Sequence, residues 1–226
     1  MHCLDLGCGA GDVTLELAGR VAPGGTVVGI DLDEEQLAVA RERAASAGLR
    51  NVSFRPSDVY DWSNPQGYDV AYCRNVLQHL SHPVRVLKEM WAALRPAGVL
   101  VVEDGDFDGC FAYPPNDGHA FWVDRYQQLL RRRGGDPLSG RKLAQLFAAA
   151  GIPAPQLNVV QRVEVSGEAK ALPLLALDAT AETMIAESVA TRAEIDHAAS
   201  ELAALVADPS SVCGSPRLFQ AFSRKP

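Results

Sequence analysis

The residues best placed to do chemistry open the chain. Leu4-Asp5-Leu6-Gly7-Cys8-Gly9-Ala10-Gly11-Asp12 runs a short apolar strand into a glycine-dense turn and then into a helical pattern. Glycines lack the Cβ that would hold a ligand away from backbone N–H groups, so such a turn can cradle one. The spacing selects among ligands. A dinucleotide fingerprint needs Gly-x-Gly-x-x-Gly, whereas the glycines here fall at 7, 9 and 11, and Asp12 stands where the third is required. Its carboxylate would repel a pyrophosphate. A Walker loop is absent too, because no Gly-Lys-Ser/Thr follows. Further along, Glu103 and Asp104 end an apolar strand, where desolvation would raise one of their pKa values and suit acid–base work or substrate orientation. His79 reads as a base or, equally, as a histidine packed in a short helix. Phe107, Phe111, Tyr113, Phe121, Trp122 and Tyr126, with His119 among them, line a substrate pocket or pack a lid and core.

The elements that position these groups alternate between strand and helix through the first two-thirds of the chain, which implies a parallel sheet covered on both faces. The pattern predicts strands at 3–6, 26–30, 52–55, 69–73 and 99–103 and helices at 13–20, 34–47 and 83–94. Pro83 starts the last of these and Gly48 stops the second. Arg95-Pro96-Ala97-Gly98 reads as a turn, and 106–116, with its glycine, prolines and aromatics, as an irregular loop. Helices are expected at 117–133 and 139–150, a strand at 156–165, and a final strand at 218–223. Thr191-x-x-Glu194 forms a capping box for a helix reaching about Ala207.

Composition narrows the function. Apolar residues make up 47% and charged residues 22% of the 226, ordinary for one globular domain with elaborations. A net charge of −7 would repel a phosphate backbone, which excludes nucleic acid as the main substrate. The only basic run, Arg131-Arg132-Arg133, reads as the end of a helix, where cations complement the dipole. No stretch approaches the roughly 18 apolar residues of a membrane span, and no signal peptide is expected before the first strand. The five cysteines lack paired spacing, so neither disulfides nor zinc is expected and a reducing cytoplasm fits.

On these residues the stretch Leu4 to Ala18 resembles motif I of the class I S-adenosylmethionine-dependent methyltransferases, and later landmarks follow in the family's order from Cys3 to about Gly151. The resemblance is nearest the small-molecule branch that includes quinone and natural-product methyltransferases. It implies a doubly wound, seven-stranded, mostly parallel Rossmann-like sheet with an antiparallel last strand, 1–104 holding the cofactor, and 105–140 and 168–210 as lid or insertion. Gly7, Cys8, Gly9 and Gly11 would hold the methionine end of S-adenosylmethionine, with Asp5 anchoring its ammonium. Asp31, 24 residues after Gly7, would accept both ribose hydroxyls, beside Leu32 as an apolar face for adenine. Asp58, in the turn with Ser57 and Val59, would accept the adenine amino group, and the backbone at Arg74-Asn75 would grip the ammonium. Asp31 as a mere helix cap and Asp58 as an ordinary turn residue stay open, although Asp33 suits the cap better.

Some relatives carry two histidines where this chain reads Gln78-His79, which leaves the transfer of a base role open. Asn75 and Asp104 do not suggest a metal, since hard cations need several oxygens together. The family usually has helices ahead of the first strand, whereas Met1 here nearly enters it. The inserted helices, an upstream segment or a second subunit would then close the site, and a homodimer is one use of the insertion. The expected activity is methyl transfer to a small organic acceptor, with catalytic Glu103, Asp104 and His79 and a pocket of Gln78, Phe107, Tyr113, His119 and Trp122. Other chemistry on the same fold (aminopropyl transfer, cyclisation) and a non-catalytic cofactor-binding subunit are the alternatives.

Overall fold

The computed structural model describes residues 1–62 and 67–226. Strand β1 (His2–Leu6) has its last four residues buried, as an apolar run must when helices cover both faces of a parallel sheet. Helix α1 (Asp12–Val21), β2 (Thr26–Asp31), α2 (Glu34–Ser46) and β3 (Val52–Pro56) follow. The Asp33 side chain caps α2 by accepting from the N–H groups of Glu35 and Gln36, so Asp31 is not the cap. Next come β4 (Tyr68–Arg74), α3 (Pro83–Ala93) and β5 (Leu94–Asp106). The remainder comprises β6 (Phe111–Tyr113), α4 (Asp117–Arg132), α5 (Leu143–Ala149), β7 (Gln156–Val160), β8 (Val163–Glu164), α6 (Leu172–Ala186), α7 (Arg192–Ala207), β9 (Val212–Gly214) and β10 (Arg217–Arg224).

The main sheet runs β3-β2-β1-β4-β5-β10-β7, with β10 antiparallel to both its neighbours. This is the mostly parallel sheet that the alternation implies, with the reversed last strand that the family resemblance implies. Its order reverses between β1 and β4, so the covering helices part there and leave a crevice at the strands' carboxyl ends. Leu87, Met90, Leu143 and Phe147 of α3 and α5 pack on the central strands. On the other face Ala18 of α1 packs against Cys3 and Val27. Helices α4, α6 and α7 pack on one another around Leu177, Met184 and Leu202, and Phe107 and Trp122 join that apolar centre.

Local expectations fail in three places, each because a distant segment supplies hydrogen bonds. The turn at 95–98 is part of β5: Ala97 takes a left-handed φ of 63°, its N–H donates to Lys225 O, and the Lys225 N–H donates to Gly98 O. The loop at 106–116 contains β6, which pairs antiparallel with β9. The strand at 156–165 splits. Gln161 donates from Nε2 to the carbonyls of Gly109 (2.7 Å) and Ser215 (2.8 Å), pinning a corner. β7 stays in the main sheet, while β8 joins β9 in a small second sheet.

Candidate active site

Two hollows lie side by side at the crevice. The first, about 200 Å³, has the glycine turn as its floor and Asp5, Tyr72, Arg74 and Asn75 as walls. The turn is fixed from behind. Gly7 and Cys8 donate their N–H groups to Ile30 O at 2.7 and 3.0 Å, and Gly11 donates to Cys8 O. Gly7 has φ 71°, and a Cβ there would lie 2.3 Å from Val76 Cγ2, so both conformation and space demand glycine. At Gly9 (φ 50°) a Cβ would meet nothing within 4 Å; it would stand in the hollow itself.

Asp31 is tied to the floor of this cleft at Gly9. One of its oxygens accepts from the Gly9 N–H at 2.7 Å and the other from the Asp33 N–H at 3.0 Å, which leaves acceptor capacity on both. Leu32 beside it is 69% exposed. The turn after β3 is tied to Asp31, whose carbonyl accepts the Ser57 N–H at 2.9 Å. Asp58 accepts from the Tyr60 N–H at 2.8 Å, and Val59 packs against the main core. Asp5 is buried beneath the cleft, accepts from Thr14 Oγ1 at 2.6 Å, and is pushed up to about 6 by burial.

The second hollow, about 480 Å³, is bounded by Asn75, Gln78, His79, Phe107, Trp122 and Tyr126 on one side and by Arg162, Leu172 and Leu218 on the other. Asn75, held left-handed at φ 56° with its N–H on Glu103 O, belongs to both hollows. The rings of Phe107 and Tyr126 are 5.1 Å apart and tilted by 31°, and Trp122 lies 6.3 Å from Phe107. Burial, with Arg133 adding to it, lowers the His79 pKa from its ordinary 6.5, so the imidazole is neutral at pH 7.

Several expected catalytic and pocket residues lie elsewhere. Asp104 is fully buried and accepts from the Gln78 N–H (3.0 Å), the Gly105 N–H (2.9 Å) and Ser139 Oγ (3.3 Å). Burial pushes it up to about 7, but it borders neither hollow; it holds the short helix of Gln78 and His79. Glu103, on the opposite face of β5, accepts from Tyr72 Oη at 2.5 Å and from Gln220 Nε2. Both carboxylates are thus occupied by the scaffold. Tyr113 is 66% exposed at the end of β6. His119 is buried edge-on against Trp122 and borders a separate groove with Phe111, with burial pushing its pKa down to about 4.

Sequence reasoning missed Tyr72, Arg162, Leu172 and Leu218. Tyr72 was within reach, since it stands two residues before Arg74 and period-2 alternation puts both on one face of β4. The others come from segments whose path to the crevice has no local signal. Among the described residues no cluster of His, Cys, Asp and Glu could hold a metal.

A family model described as "Methyltransferase domain" matches residues 1–134 of the 226. Trans-aconitate 2-methyltransferase of Deinococcus radiodurans is 36% identical over 117 residues, covering 52% of this chain and 39% of its own length. Ubiquinone biosynthesis O-methyltransferase of Actinobacillus pleuropneumoniae is 35% identical over 103 residues, 43% of this chain and 42% of its own. The chain spans about half or less of the length of the curated relatives it matches. Phosphoethanolamine N-methyltransferase 2 of Haemonchus contortus, solved with phosphomonomethylethanolamine and S-adenosylhomocysteine, shares the fold at TM-score 0.59 and 18% identity, covering 100% of this chain and 49% of that one. The glycine floor, the strand order and the family match agree: this chain belongs to the methyltransferase domain family, in its S-adenosylmethionine-dependent class.

Proposed function

We propose that this protein transfers a methyl group from S-adenosylmethionine to a small organic acceptor held in the aromatic cavity. The observation that carries this reading is the shared wall at Asn75, which sets the glycine cleft and the cavity next to each other. The cleft fits the cofactor's chemistry: bare backbone for the amino-acid tail, buried Asp5 beneath it for a cation, and free acceptor capacity on Asp31 for ribose hydroxyls. In this reading the Arg74-Asn75 backbone grips the ammonium. Leu32 covers the adenine, and Asp58 with Ser57 and Val59 takes its amino edge.

Bound there, S-adenosylmethionine supplies a methyl already activated on a sulfonium. The chain's residues therefore have to align the acceptor, exclude water and, for a hydroxyl acceptor, take up a proton. Phe107, Trp122 and Tyr126 align it. Neutral His79, which borders the cavity, takes the proton. Asp104 and Glu103 act as positioning residues, the first through Gln78 and the second through Tyr72. We read residues 1–226 as one domain with 105–140 and 168–210 forming the lid. The net charge of −7 favours a small acceptor over nucleic acid, and no described helix is long and apolar enough to cross a membrane. Calorimetry with S-adenosylhomocysteine, together with release of label from methyl-labelled S-adenosylmethionine, tests the reading. Label that never leaves the cofactor in the presence of an acceptor library, despite tight cofactor binding, would favour a non-methylating role on the same fold.

A further inference from the structure

Two residues that border the acceptor cavity carry buried polar atoms that the protein leaves unanswered. Gln78 is 4% exposed and Trp122 is 7% exposed, and both border the cavity. Gln78 Oε1 and Trp122 Nε1 are buried, and no protein group among the described residues hydrogen-bonds to either. One is an acceptor and the other a donor. A buried polar atom without a partner costs about 1–3 kcal/mol, so a matched ligand gains by answering it.

The backbone N–H of Gln78 donates to Asp104 Oδ2 at 3.0 Å, and its side-chain Nε2 lies 3.3 Å from His79 Nε2. Its Oε1 lies over Gly105, where a Cβ would approach it to 2.9 Å; the bare glycine leaves the oxygen in place at the cavity wall. Trp122 is fixed between Phe107, at 6.3 Å, and His119, at 5.7 Å. Trp122 also borders a smaller adjoining hollow of about 70 Å³, with Leu172, Pro173, Cys213 and the Arg162–Glu164 pair around it.

The charge in the cavity is as telling. No carboxylate borders it among the described residues. The one cation that borders it among the described residues, Arg162, has a side chain 71% exposed and is paired with Glu164 at 2.7 Å. A full charge on the acceptor would therefore be buried without a counter-ion inside, which is costly. The tilted Phe107 and Tyr126 rings offer faces to a flat body.

Building on the methyl-transfer reading, we propose that Gln78 and Trp122 select the acceptor. It is a neutral, flat compound that presents an O–H or N–H to Gln78 Oε1 and a carbonyl or ether oxygen to Trp122 Nε1. Gln78 stands three residues after Asn75, so the donor end of the compound lies nearer the cofactor cleft. The apolar end lies past Trp122, toward the small hollow.

The test is binding of four naphthalenes to the whole chain by equilibrium dialysis: 6-acetyl-2-naphthol, 2-naphthol, 2-acetonaphthone and anionic 6-hydroxy-2-naphthoate. The first should bind about fivefold or more tighter than either single-handle compound, and the carboxylate should bind weakest. Gln78→Met should erase the preference for 6-acetyl-2-naphthol over 2-acetonaphthone and spare its preference over 2-naphthol. Trp122→Phe should do the reverse. Equal binding of all four, no binding by any, or a lead for the carboxylate overturns the proposal in the wild type alone, whatever the variants do on folding. Preferences that survive both substitutions also overturn it. S-adenosylhomocysteine titrated into the same samples separates the two readings. Cofactor binding without naphthalene discrimination sinks the selection device and leaves methyl transfer standing. Discrimination without cofactor binding does the opposite.

Discussion

The glycine cleft and the aromatic cavity meet at Asn75 but are assembled in opposite ways. The cleft is made of residues 5–13 with 72–75, from neighbouring parallel strands in register, Leu4 beside Ala71 and Asp5 beside Tyr72. Its parts are set by backbone: strand pairing, left-handed glycines and carbonyls such as Ile30 O. The cavity draws on at least five separated segments, from Asn75 to Leu218, and is set by side-chain packing. A backbone-built site tolerates side-chain drift around it. A packing-built one changes specificity with each substitution, and that division suits a common cofactor with a variable acceptor.

The sharpest way to break this comparison is to remove His79, the imidazole that borders the cavity and is proposed to take the acceptor's proton. His79→Gln should lower the methyl-transfer rate roughly 10²-fold or more for a hydroxyl acceptor, with affinity for S-adenosylhomocysteine unchanged. The wild-type rate should fall on acidification through a pKa below the ordinary 6.5, since only the neutral imidazole accepts a proton. A variant that loses cofactor affinity along with rate would merge two sites treated as separate. Asp31→Ala is the converse. It should weaken S-adenosylhomocysteine binding by about 10- to 100-fold, because hydrogen bonds to a charged group are lost. It also frees the Gly9 and Asp33 N–H groups. A loss under about threefold in calorimetry would take Asp31 out of the ribose role.

These two residues also show what the sequence discloses. Asp31 is legible because its place follows from strand alternation and chain distance to Gly7, and Asp33 so clearly owns the cap. The order of the first five strands and their helices is legible for the same reason: each is a local pattern with a local stop. Glu103 and Asp104 read as the end of a strand, but β5 runs on to Asp106, and what faces the two carboxylates is not legible. Tyr72, Gln220 and Ser139 occupy those carboxylates, and a partner 31 to 117 residues away leaves no mark near position 103 or 104. β6 and β9 escape for a related reason, since strands of three residues exist only through their pairing, and so does the break that sets β8 apart from β7.

Gly7→Ala probes the cleft through stability. The methyl would impose a left-handed φ of 71° and a clash with Val76, costing about 1–3 kcal/mol. Denaturant midpoints measure it, and a neutral result would mean that the turn relaxes more freely than its hydrogen bonds suggest. Asp104 gives an effect that depends on pH. Its pKa lies above the ordinary 3.8, at about 7, so between about pH 4 and pH 7 the folded chain keeps a proton that the unfolded chain has released. Its contribution to stability is present below that window and lost as the pH rises through it. Asp104→Asn should therefore gain on the wild type from pH 4 to pH 7 in urea melts. Asp5, with the same sign, and His119, with the opposite one, cancel in the difference.

The smallest expected effect separates aromatics that look alike in the sequence. Tyr113 and Tyr126 flank one stretch rich in rings, yet only Tyr126 borders the cavity, its ring against Phe107. Tyr113 meets its neighbour strand through the backbone, opposite Val212, and its side chain stands largely in water. Tyr113→Ala should change stability by less than about 0.5 kcal/mol and leave both KM for the acceptor and cofactor affinity within about twofold. Tyr126→Ala should raise that KM about tenfold, since an aromatic face worth 0.5–1.5 kcal/mol beyond its buried area is lost. If the two variants behave alike, the cavity's boundary along α4 lies elsewhere, and the packing-built half of the site has to be redrawn around whichever ring the acceptor touches.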